Sequence, residues 1–250
     1  MLYGRRRIGK TALIKQWVQI GGSNSIYWMA RTSPERVLLR NFSQTIYNFA
    51  NPAIPAPDDF SYASWEQAFQ QVGALAASQR VGLFIDEFTY LLQTKPDILS
   101  ILQDVWDHQL SHTNLFLCLS GSHMGKMKKE ILAPRSPLYA RASAQLHLQP
   151  LPFGNTALFF PNYRPADRVA LYALFGGVPA YWERITPSLS ISDNIKQELL
   201  NPGNLMQAEL HVKVARSREG EGNDAIEQLL QQVQEAKAAA AAAKKARPKS

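Results

Sequence analysis

Near the start of the chain, Gly4-Arg5-Arg6-Arg7-Ile8-Gly9-Lys10-Thr11 follows the pattern G-x-x-x-x-G-K-[ST]. Few short patterns constrain a fold so tightly. The two glycines let backbone N–H groups curl around phosphate oxygens, and a helix must follow so that its N-terminus points at the anion. Leu13, Ile14, Trp17 and Val18 recur at helical spacing directly afterwards, so that helix is present in the pattern. Lys10 is placed to reach the β- and γ-phosphates of ATP, and the Thr11 hydroxyl to ligate Mg²⁺. Gly4, Arg7, Ile8, Gly9, Lys10, Thr11 and Ala12 are therefore the nucleotide-binding candidates. A basic surface turn is the alternative for this segment taken alone.

A second motif weighs against that alternative. Val81 to Ile85 is a near-continuous apolar run ending in Asp86-Glu87. A carboxylate at the C-terminal end of a buried parallel strand lies where ligands bind in open α/β sheets. Asp86 is the candidate for the Mg²⁺ shell and Glu87 for the group that polarises the attacking water. Leu115 to Leu119 reads as another strand, running into Ser120-Gly121-Ser122. Ser120 is placed to sense the γ-phosphate, while Ser122 suits a helix N-cap equally well. Arg141 precedes the last strand, where an arginine supplies transition-state charge or simply pairs with an acid. His108 and His112 lie four apart, but no third metal ligand is apparent.

Strand and helix patterns alternate as far as residue 149, which predicts an α/β doubly wound parallel sheet. Ser25 to Met29 is a further strand, and Ala144 to Leu148 an edge strand. Trp65, Phe69, Val72 and Ala76 mark one helix; Ile98, Ile101, Leu102, Val105 and Trp106 mark another. The core thus spans 1–149. Residues 150–215 are expected to form a small helical lid, with Val169, Ala170, Ala173 and Leu174 as one apolar stripe. Gly176 and Gly177 end one lid helix and Pro179 starts the next. Residues 216–250 read as a polar linker and an Ala/Lys-rich tail, helical or disordered.

The formal net charge of +7 is partly local: Arg5, Arg6, Arg7 and Lys10 sit in the phosphate loop, and Lys237, Lys244, Lys245, Arg247 and Lys249 in the tail. A second basic stretch, Lys126 to Arg141, supports nucleic-acid binding only weakly, because no aromatic residues interleave it as a stripe. Cys118 is the single cysteine, so no intrachain disulfide forms, which fits a reducing cytoplasm. No apolar run approaches the ~20 residues that span a bilayer.

Taken together, Tyr3 to Ile14 resembles the Walker A of the archaeal-type ATPases in the STAND branch of the AAA+ P-loop ATPases. Phe84-Ile85-Asp86-Glu87-Phe88 resembles their Walker B, Leu119-Ser120-Gly121-Ser122 their sensor strand, and Ser136 to Arg141 their Arg-bearing segment, with Ala140 replacing the usual Gly. Gly176 to Tyr181 matches the Gly-x-Pro turn that touches the adenine side, so the resemblance implies that Gly177 and Pro179 contact the nucleotide. It also implies an ATP-binding, slowly hydrolysing, Mg²⁺-dependent switch with a protein partner or self-association. The rivals are a nucleotide-binding scaffold without turnover and a nucleic-acid-associated protein.

Two departures accompany the resemblance. Members carry a strand feeding the P-loop, of which only Met1-Leu2-Tyr3 stand here, and a winged-helix region after the lid, which is not visible. The reading is therefore of an N- and C-terminally truncated member with its first strand largely missing. The strand ending at Asp86 and the strand ending at Leu119 are then expected to flank a gap, leaving a marginally stable chain.

Overall fold

The computed structural model describes residues 1–200. Residues 201–215 of the expected lid and the 216–250 tail lie outside the described residues. Two compact units divide at Gln149/Pro150.

The first unit is a five-stranded sheet of order β2-β3-β4-β1-β5, parallel at every pairing. Its strands are β1 (Leu2–Tyr3), β2 (Ser25–Met29), β3 (Val81–Asp86), β4 (Leu115–Gly121) and β5 (Leu146–His147). Between them run α1 (Lys10–Gly21), α2 (Glu35–Ala50), α3 (Trp65–Ser78), α4 (Phe88–Thr94), α5 (Ile98–His108) and the short α6 (Met124–Lys126). Alternation along the strands sends side chains to two cores. Val81, Leu83, Ile85 and Leu119 join Phe42, Trp65, Phe69, Ile98 and Leu102 on one face. Phe84 and Cys118 join Leu2 and Ile14 on the other. Helices cover both faces, as a sheet of continuous apolar strands requires. The helical stripes named from spacing are the buried ones: Trp65, Phe69, Val72 and Ala76 on α3, and Ile98, Leu102 and Val105 on α5. Ser64 caps α3 by accepting from Gln67 N–H at 3.1 Å, while Gln67 Oε1 accepts from Ala63 N–H at 2.8 Å.

The gap expected between the Asp86 and Leu119 strands is not there. β3 and β4 are direct neighbours, paired from Val81↔Leu115 to Ile85↔Leu119. Both are long apolar runs, so each satisfies the other's backbone groups without an intervening strand. The two-residue β1 lies instead between β4 and β5, with Leu2 opposite Ser120 and Leu146. Leu146 and Leu148 extend that contact by donating N–H to Met1 O and Tyr3 O at 2.8 and 2.7 Å. Beside the lower part of β4 lies a cavity of about 100 Å³ lined by Met1, Leu115, Leu117, Leu119, Leu138 and Arg141, among others.

The second unit contains α7 (Thr156–Phe159), α8 (Pro165–Phe175), α9 (Pro179–Trp182) and α10 (Ile191–Ile195), with no strand among the described residues. Its core is Phe160, Leu171, Phe175, Trp182 and Ile185. The stripe expected on α8 is displaced: Leu171 and Phe175 are buried, whereas Val169 is 56% exposed. Aromatic volume decides this, because Phe175 one turn after Leu171 matches Phe160 and Trp182 better than the smaller residues do. Among the described residues no helix is long and apolar enough to cross a membrane.

Candidate nucleotide site

The loop between β1 and α1 is shaped by its glycines. Gly4 is buried, and a Cβ there would lie 2.5 Å from the Leu148 carbonyl oxygen. Gly9 has φ 96° and immediately precedes α1, a left-handed conformation that side chains disfavour. Arg7, at φ 66°, shares that region, and Ile8 is buried between them. Lys10 opens α1 at 5% exposure. Its ammonium donates to the Gly4 and Arg5 carbonyls at 3.0 and 2.9 Å, so the loop is closed on its own lysine. Burial holds that ammonium below its ordinary pKa, opposed by the nearby Glu87 and Asp86 charges. Ala12 is exposed on the first turn.

Thr11 joins this loop to the end of β3. Its Oγ1 donates to Asp86 Oδ2 at 2.7 Å, and Asp86 is fully buried. The same oxygen accepts from the Tyr27 hydroxyl at 3.3 Å, and Oδ1 accepts from Glu87 N–H at 3.0 Å. Burial, then the Asp86 charge and hydrogen bond, push the Tyr27 phenol up to about 12. Glu87 follows in a left-handed conformation, φ 53°. Its Oε2 accepts from Ser122 Oγ at 2.7 Å and from Ser122 N–H at 3.3 Å. Ser120, fully buried on β4, has a hydroxyl with no hydrogen-bond partner among the described residues. A threonine hydroxyl beside a carboxylate is a hard oxygen donor set that suits Mg²⁺, and an orphaned buried hydroxyl at the adjacent strand end suits a phosphate oxygen or water.

Lys10, Thr11, Asp86, Glu87 and Ser120 therefore gather at the C-terminal ends of β1, β3 and β4. Arg141 is not among them. Its Nε donates to Asp107 Oδ1 at 2.7 Å, its Nη2 also meets Asp107, and its Nη1 donates to Pro137 O at 2.8 Å. Gly177 and Pro179 belong to the second unit, where both have local reasons to be what they are. Gly176, φ 59°, ends α8 and Pro179 begins α9. A Cβ on Gly177 would fall 1.9 Å from Leu151 O.

Spacing gave no warning of two side chains that touch these residues. Tyr27 reads as an ordinary strand residue. The signal available was alternation, which turns it to the same side of β2 as Met29, the residue paired with Asp86. Tyr90, which accepts from Arg6 Nη2 at 2.6 Å, lay inside α4 without a motif of its own.

Comparison with known proteins places these features. A family described as an ATPase domain predominantly from Archaea matches residues 1–185. An uncharacterized protein of Methanocaldococcus jannaschii is 28% identical over 210 residues, 84% of this chain and 44% of that protein. A second from the same organism is 43% identical over 44 residues, 18% of this chain and 43% of its own length. The chain thus spans less than half the length of these relatives. A solved structure, the Walker-type ATPase PABY2304 of Pyrococcus abyssi, superposes with a TM-score of 0.59 at 18% identity, covering 92% of this chain and 70% of that one. That likeness shows a shared P-loop ATPase fold, and the family match spans both the loop and the Asp86-Glu87 strand. The chain belongs to the family of ATPase domains found predominantly in Archaea.

Proposed function

We propose that this domain binds ATP with Mg²⁺ and hydrolyses it slowly, acting as a molecular switch of the STAND/AAA+ type. The observation that carries the reading is the 2.7 Å bond from Thr11 to buried Asp86, which joins the phosphate loop to the acidic strand end with Glu87 beside it. Thr11 and Asp86 would hold Mg²⁺, which when bound supplies positive charge to the phosphate oxygens. Lys10 exchanges its bonds to the Gly4 and Arg5 carbonyls for bonds to the phosphates. Ser120 offers its free hydroxyl to the terminal phosphate or to water. Glu87 accepts a proton from the attacking water as the new P–O bond forms and the bond to the departing ADP oxygen breaks. Glu87 Oε1 has no hydrogen-bond partner among the described residues, so it is the oxygen available for that proton.

Gly177 and Pro179 enter this reading by resemblance alone, as contacts to the adenine side. Arg141 joins it only if its charge leaves Asp107. The switch implies a protein partner or self-association as its output, in a reducing cytoplasm where buried Cys118, pushed up to about 11, stays a thiol.

The test pairs two substitutions. Lys10→Ala is expected to abolish ATP binding measured by calorimetry. Glu87→Gln is expected to keep ATP affinity while turnover falls by about 10²-fold or more, the contribution of a positioned base. Undiminished affinity in the first variant would refute the phosphate loop; equal turnover in the second would remove Glu87 from the chemistry.

A further inference from the structure

We infer that the segment from Lys126 to Arg135 is a binding surface for the phosphodiester backbone of nucleic acid, separate from the nucleotide site and blind to base sequence.

The first observation is unanswered charge. Lys126, Lys128, Lys129 and Arg135 have one acid among them, Glu130, and no other carboxylate occurs from 121 to 150. The fold brings none in from elsewhere: among the described residues none of these four cations enters an ion pair, whereas Arg141 further along the same basic stretch is taken by Asp107. Lys128, Lys129 and Arg135 are exposed, and Lys126 is partly so.

The local backbone explains why they stand outward. β4 ends at Gly121, and α6 leads into a wide turn, Met127–Ile131, closed by Leu132 N–H donating to Met127 O at 2.8 Å. Met127 and Ile131 are fully buried, while the three residues between them, Lys128, Lys129 and Glu130, all face solvent. The anchor is close: a Cβ on Gly121 would lie 2.5 Å from Met127 Sδ. The cations therefore stand on a turn pinned to the end of a central strand. Wide turns of this i→i+5 kind recur at functional sites.

Three kinds of acidic partner could meet such a surface. A protein interface draws its affinity from buried anchors, and exposed lysines at its rim add little. A membrane surface is held by apolar side chains that enter it, but Met127 and Ile131 are turned into the core. Nucleic acid needs neither. Each phosphate contact releases condensed counterions, a gain that solvent-exposed lysines deliver. No aromatic stripe accompanies these cations, so the contact is to the backbone and carries no base reading.

The experiment measures fluorescence anisotropy of a fluorescein-labelled DNA duplex of about 30 bp with the whole chain, between about 50 and 200 mM KCl. Lys128→Ala/Lys129→Ala/Arg135→Ala should lower the slope of log K against log salt by about 2–3 and weaken binding at least tenfold. Its melting curve and its calorimetric ATP affinity should match the wild type, because these side chains are exposed and outside the phosphate loop. Lys128→Arg/Lys129→Arg keeps the charge and should keep the binding. Lys244→Ala/Lys245→Ala/Lys249→Ala tests the terminal tail, and the loss from the 128/129/135 substitutions should persist in that background. A second duplex of unrelated sequence should bind equally well. The inference is overturned if the wild type does not bind DNA, or if the 128/129/135 variant binds with wild-type affinity and slope. It is overturned equally by tighter binding to phosphatidylserine vesicles than to the duplex at the same salt, or by a strong preference between the two duplexes. None of these outcomes bears on the ATP reading, which Lys10→Ala tests separately.

Discussion

Thr11→Val isolates the contact that joins the two halves of the site. Valine has nearly the volume of threonine, so no cavity opens; a methyl simply replaces the hydroxyl facing Asp86 Oδ2. That carboxylate is fully buried and among the described residues has three donors: Thr11 at 2.7 Å, Tyr27 at 3.3 Å and Glu87 N–H at 3.0 Å. Thr11 supplies the shortest. A hydrogen bond to a charged group contributes about 1.5–3 kcal/mol. Tyr27 can tighten onto the same oxygen and recover part of it, so the net loss in the nucleotide-free protein is about 1–2 kcal/mol. For a domain of this size, that lowers the melting temperature by about 2–8 °C. Thr11→Ser keeps the hydroxyl and should melt near the wild type. The second readout is calorimetric ATP affinity with Mg²⁺ and with EDTA: the gain that Mg²⁺ confers should vanish in Thr11→Val and survive in Thr11→Ser. If Thr11→Val melts with the wild type and keeps the Mg²⁺-linked gain, the Thr11–Asp86 contact contributes to neither stability nor metal binding, and the reasoning fails.

Two further outcomes are expected. The Tyr27 phenol is raised from its usual 10.0 to about 12, so its neutral form is favoured on folding; that stability is full below pH 10 and lost as pH climbs to about 12. Tyr27→Phe should therefore lose stability less steeply over that window in denaturant titrations, and an equal slope would show that folding, by burial and by Asp86, does not raise the phenol. Gly177→Ala would set a Cβ 1.9 Å from Leu151 O and break the 2.7 Å bond from Leu151 N–H to Gly177 O. Its cost is about 3 kcal/mol or more, seen as early proteolysis of the second unit while the first stays protected; wild-type resistance would refute the close approach.

What was legible in the sequence was local. The phosphate loop depends on two glycines whose reasons are backbone reasons: close approach at Gly4 and positive φ at Gly9. The strands β2, β3 and β4 announced themselves as apolar runs, and the helices between them as stripes. Asp86 could be placed because a carboxylate that closes an apolar strand stays at that strand's end, next to Thr11. Pairing across the sheet was not legible. An apolar run carries no label for its neighbour, so β4 was set apart from β3 when the two in fact share five paired positions. The α8 stripe failed for a related reason, since Leu171 and Phe175 are chosen by partners elsewhere in the chain, Phe160 and Trp182.

The same distinction separates the two residues first assigned to catalysis. Glu87 is one residue from Asp86 and at the end of the same strand, so its position is inherited from β3 whatever happens elsewhere. Arg141 has no such tether. It lies in a short helical turn, Tyr139–Arg141, and its direction is set by whichever acid comes within reach. Asp107, at the end of α5, is that acid, and the pairing holds Asp107 below the usual carboxylate range. A motif arginine can thus be spent on a structural partner, while Ser122, which the sequence offered as a helix N-cap, bonds to Glu87 instead. The useful discriminator is covalent distance from a strand end: residues one or two positions past β3 and β4 meet because those strands pair, and residues on free turns go where charge takes them.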